Sequence, residues 1–120
     1  MTDVIQIVTT TETHDAAEAI ARHLVEQGLA ACAQVGGPIT SVYRWQGQIE
    51  RAVEWQCVIK TRAALYDQVE RAIRALHPYE TPEILATPVA HGSAAYLDWL
   101  AKATESAQKS AGAGSAASAH

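Results

Sequence analysis

Hydrophobic positions in this chain change their period from one segment to the next, and each change marks an element. Val4 to Val8, VIQIV, is a β-branched run interrupted only by Gln6, the pattern of a strand covered on at least one face. From Thr13 to Gln27 the period becomes helical. Ala17, Ile20, Ala21, Leu24 and Val25 share one side, Glu18, Arg22, His23 and Glu26 the other, and Gly28 stands where a helix hands over to a loop. Small and apolar residues resume from Leu29 to Val35 as a second strand, which Gly36-Gly37-Pro38 is expected to break. From Ile39 to Thr61 apolar and polar residues alternate around Gly47, predicting a long hairpin. Leu65, Val69, Ala72, Ile73 and Leu76 then place a helix over about Ala63 to Leu76, with Asp67/Arg71 and Glu70/Arg74 as exposed pairs one turn apart. Pro78 disfavours helical geometry at His77 and Pro82 pushes Thr81 into extended geometry, so the helix stops at a stiff joint. Glu83 to Val89 reads as a further strand, and Ser93 as the cap of a last helix turning Tyr96, Leu97 and Leu100 inward.

With the runs on either side of Gly36-Gly37-Pro38 counted as one interrupted strand, the order β-α-β-β-α-β plus a C-terminal helix, with right-handed crossovers, predicts an α+β, ferredoxin-like sandwich: a four-stranded antiparallel sheet with two helices on one face. The other face then needs a cover. The hairpin strands look longer than so small a domain can shield, which would leave Tyr43, Trp45 and Trp55 as an apolar patch on a monomer. These three residues are expected at an interface with further copies of the chain.

Composition narrows the picture. A chain of 120 residues, 48% apolar, builds one domain with a real core, expected over residues 1–105. Residues 106–120, nearly all Ala, Ser and Gly, are expected to form a disordered tail. Nine Lys and Arg against 13 Asp and Glu, without a basic block, argue against nucleic acid, and the absence of Phe argues against a stacking RNA platform. No stretch approaches the roughly 18 apolar residues of a membrane span. The start MTDVIQIVTTTETHD fits neither a secretory nor a transit peptide, so a cytoplasmic protein is expected. Cys32 and Cys57, without a C-x-x-C pattern, supply too few thiolates for a zinc ribbon or an iron–sulfur site. Flanked by alanines, Cys32 reads as a buried strand residue and not as a nucleophile.

The joint ALHPYETPEIL, Ala75 to Leu85, concentrates the candidate chemistry. His77 with Glu83 or Glu80 would offer nitrogen and oxygen donors, a set that suits weak binding of a divalent metal, Cu(II) ahead of Zn(II). The alternative is that His77 bonds the carbonyls at the end of the preceding helix, whose dipole also suits it. Tyr79 is held between two prolines, either as a pre-organised contact or as packing under the joint. Lys60 and Arg62 suit an anion, or pair with Glu50 and Glu54 across the hairpin at small gain.

The words LAAC, ITSVYRWQGQIE, VIKT, LHPYETPEIL and YLDWL, in that order from about Val4 to Lys102, resemble the CutA family of divalent-cation tolerance proteins. The resemblance implies a fold similar to PII-type signalling trimers, a tight homotrimer with hairpin strands pairing across subunits, and an association with metal tolerance that implies no enzyme. Several members carry a cysteine at the end of the first strand, where this chain reads Val8-Thr9-Thr10; losing that soft donor argues against Cu(I). By analogy with PII-type sensors, clefts between subunits lined by Trp45, Lys60, His77, Tyr79, Glu80 and Glu83 would hold a divalent metal or a small effector. The competing expectation is a structural or signalling trimer that presents a surface to another macromolecule and binds no ligand of its own.

Overall fold

The computed structural model describes residues 2–107. The first strand, β1 (Val4–Thr11), runs three residues past the expected VIQIV because Thr9, Thr10 and Thr11, β-branched themselves, continue the ladder opposite Cys57, Gln56 and Trp55. Helix α1 (His14–Glu26) starts at Thr13, whose hydroxyl accepts the Ala16 N–H at 3.1 Å, and buries Ala17, Ile20, Ala21 and Leu24. Gly28, at φ +71°, turns the chain out of it.

Strands β2 (Cys32–Trp45) and β3 (Gln48–Arg62) form the long hairpin, closed by Gln46 and Gly47 at φ +50° and +79°. The expected break at Gly36-Gly37-Pro38 is corrected: β2 runs through it as a β-bulge, the register slipping between Gly36 and Ile39. Gly37 is required there. Its φ is +145°, and a Cβ would lie 2.9 Å from Trp55 Cδ1 and 3.1 Å from the Glu54 carbonyl.

A 3₁₀ turn at Ala63–Leu65 leads into α2 (Tyr66–Leu76), which ends at His77 in extended geometry, as Pro78 demands. Strand β4 (Leu85–Pro88) is shorter than the expected Glu83 to Val89. Ser93 caps α3 (Ala94–Ala103), accepting from the Tyr96 N–H at 3.3 Å. Only part of the expected inward face of α3 is inward. Leu100 is buried and Leu97 packs behind it, whereas Tyr96 lies outside, its ring 5.3 Å from that of the exposed Trp99.

The sheet order is β2-β3-β1-β4 and every pairing is antiparallel, the ferredoxin-like arrangement. Helices α1 and α2 cover one face, where Ile5, Ile7, Cys57 and Ile59 meet Ile20, Leu24, Leu65, Val69 and Ile73. On the opposite face α3 seals one end only, through Val4, Ala31 and Leu100 and an Arg62 Nε–H donated to Thr104 Oγ1 at 3.2 Å. No described helix is long and apolar enough to cross a membrane. Ala107 is buried in the main cluster, so packing reaches past the expected boundary at 105, and most of the expected tail, 108–120, lies outside the described residues.

Candidate functional site

Beyond the Thr11–Trp55 pair, no third strand lies beside β3 among the described residues, and β2 and β3 continue from Ile39 to Glu54 as a two-stranded arm. Val42, Tyr43, Trp45, Ile49 and Val53 are all exposed on it, Val42 at 67% and Ile49 at 63%. Trp45 stands at the tip, next to the turn. Trp55 does not belong to this surface in the way its sequence position suggested. It is half-buried at the base of the arm, packed against the main core and over Gly37.

The joint after α2 closes against that base. His77 is 8% exposed, and its Nε2 lies 2.7 Å from the Thr10 carbonyl oxygen; since a carbonyl only accepts, Nε2 carries the proton. The remaining lone pair, on Nδ1, accepts the Tyr79 backbone N–H at 3.1 Å. The His77 and Tyr79 rings pack at 4.8 Å. Tyr79 then reaches the arm, its hydroxyl donating to Glu54 Oε2 at 2.8 Å, and Glu54 is only 7% exposed. Burial, followed by the Glu54 carboxylate, pushes the Tyr79 hydroxyl well above the ordinary phenol range, so it stays a donor throughout the neutral range.

Within one chain His77, Glu80 and Glu83 do not come together as a donor set. Both His77 nitrogens are engaged within the chain, and no group of three or more His, Cys, Asp or Glu side chains among the described residues stands together as a metal site. Glu80 and Glu83 are exposed on the joint. The carbonyl that the His77 ring bonds is on β1 and not at the end of its own helix, which only the His77 backbone N–H reaches, at the Ile73 carbonyl. The expected cleft lies between subunits, and within one chain its residues stand apart. Trp45 pairs with Gln48 at the arm's tip while Lys60 pairs with Cys32 and Gln6 in the body, roughly 40 Å of strand away at about 3.3 Å per residue. Tyr79 binds Glu54, between the two. A surface hollow of about 390 Å³ lies elsewhere, along α1 beside Val25, Ala33 and Val35.

Sequence reasoning missed Glu54 as the partner of Tyr79, having set it beside Lys60 and Arg62. The available signal was its position between Val53 and Trp55, a carboxylate in an otherwise apolar stretch of strand. Arg62 instead serves α3, and Cys32 is half-buried and free while Cys57 is fully buried.

Comparison with known proteins bears on most of the chain. A family model described as CutA1 divalent ion tolerance protein matches residues 5–103. The divalent-cation tolerance protein CutA of Thermus thermophilus is 40% identical over 98 residues, 82% of this chain and 95% of that protein. Protein CutA of Mus musculus is 43% identical over 94 residues, 78% of this chain, which spans about half of that relative (53%). The crystal structure of CutA from Xylella fastidiosa superposes with a TM-score of 0.83 at 40% identity, over 86% of this chain and 99% of that one.

Proposed function

Because the chain belongs to the CutA1 divalent ion tolerance family, a divalent-cation tolerance function of the CutA type is its premise, and we propose that it acts as a homotrimer binding a divalent cation or small effector between subunits. The observation that carries the assembly is the arm. A two-stranded ribbon is at best marginally stable alone in water, and this one exposes Val42, Tyr43, Trp45, Ile49 and Val53. Pairing with the arms and open sheet faces of neighbouring copies covers those side chains. It also brings Trp45 of one subunit within reach of residues such as Lys60 on another, which a single chain holds far apart.

The ion is held weakly. With the His77 nitrogens engaged, the joint offers the carboxylate oxygens of Glu80 and Glu83, and a full coordination shell takes further donors from a second copy. Binding, not catalysis, is the activity, and the two free cysteines suit a reducing compartment such as the cytoplasm. The test is calorimetric titration with Cu(II) of the wild type and of Glu80→Gln/Glu83→Gln, with His120 replaced by Ala in both to remove an accessory imidazole. Weak binding lost in the double variant supports the reading. Equal binding in the two removes these carboxylates from the site, and no binding in either leaves a trimer that presents a surface without its own ligand.

A further inference from the structure

The body of the sheet ends at the Thr11–Trp55 pair, and the arm begins at the Ile39–Glu54 pair immediately after the bulge. A bulged ribbon with no third strand among the described residues is free to bend at that point. At the same point the joint is fastened twice, through His77 Nε2–H to the Thr10 carbonyl on the body side and through the Tyr79 hydroxyl to Glu54 on the arm side. Tyr79 is itself tied to His77, by its backbone N–H and by ring packing. The chain of contacts therefore runs from β1 through the joint to the first residue of the arm.

We propose that Tyr79 is a positioning residue, a clamp that fixes the angle of the arm to the body, so that the HPYE joint governs how the arm is presented to a second copy. The consequence for assembly rests on the self-association proposed above; the clamp itself lies within one chain. The Glu54 carboxylate is nearly buried, so the bond is charge-assisted and shielded, the setting in which one hydrogen bond has a large effect. The joint is then a positioning element for the arm and not only a stop.

The test is hydrogen exchange on the full chain, comparing residues 40–53 with residues 4–11 as an internal control, in the wild type, Tyr79→Phe, Glu54→Leu and the double variant. Tyr79→Phe should speed exchange in residues 40–53 by about tenfold and leave residues 4–11 unchanged. Glu54→Leu removes the same bond from the other side and carries the measurement if Tyr79→Phe does not fold. The double variant should exchange no faster than the faster of the two single variants, the mark of one shared bond. Unchanged exchange in residues 40–53, acceleration spread equally over residues 4–11, or effects that multiply in the double variant would overturn the clamp. Sedimentation of the same proteins separates the two proposals: a chain that stays single at every concentration removes the association reading and leaves the exchange contrast standing, whereas an intact assembly without that contrast removes the clamp alone.

Discussion

His77 has its two ring nitrogens satisfied inside its own chain, by a carbonyl on β1 and by an amide two residues on. His77→Ala should therefore cost stability, about 2 kcal/mol from lost hydrogen bonds at a buried position, measured by urea unfolding. Its Cu(II) affinity should match the wild type in calorimetry; a clear loss would mean that the ring turns out to ligate. Cys57 makes a second residue-scale case. Burial pushes its thiol from 9.0 up to about 11. The folded state keeps the proton more tightly than the unfolded one, so this contribution is complete below pH 9 and is lost as pH rises towards 11. Cys57 should stay unlabelled by iodoacetamide in the native protein at pH 8 and react once urea unfolds it, and native labelling would place it nearer the surface. What the sequence showed of these residues was their type and local constraint. The prolines around Tyr79 announce a fixed joint, but the Thr10 and Glu54 partners are brought there by strand register, which no local pattern encodes.

At the scale of elements, helix limits were legible because their chemistry is local: Thr13 and Ser93 cap α1 and α3, Gly28 follows α1, and Pro78 ends α2. The ferredoxin-like order followed from period changes together with the Gly, Pro and cap residues between the segments. The reading failed where tertiary packing overrides a local signal. Gly36-Gly37-Pro38 has the composition of a turn, yet pairing on both sides of it holds β2 together as a bulge. In α3, apolar and aromatic residues occur on more than one side, so periodicity could not place Tyr96, which lies outside beside Trp99. Gly37→Ala should destabilise the fold by about 1–3 kcal/mol in chemical unfolding, because it joins an unfavourable φ to a clash with Trp55 and the Glu54 carbonyl. A neutral result would show that the bulge relaxes. Ser93→Ala should cost about 1 kcal/mol by the same method, and no change would mean that the cap hydrogen bond is replaced by water.

The described residues divide into a body with a packed core and an arm that no other described element pairs with. The sequence hinted at this through hairpin strands too long for one small domain, but it placed Trp55 with the exposed residues because alternation does not tell which end of a strand projects. On the proposed reading association is what stabilises the arm, so the decisive quantity is the solution mass. Sedimentation equilibrium of the wild type at low micromolar concentration should give three times the mass of the chain, with no folded monomer on further dilution. A folded, soluble monomer at those concentrations would contradict the account.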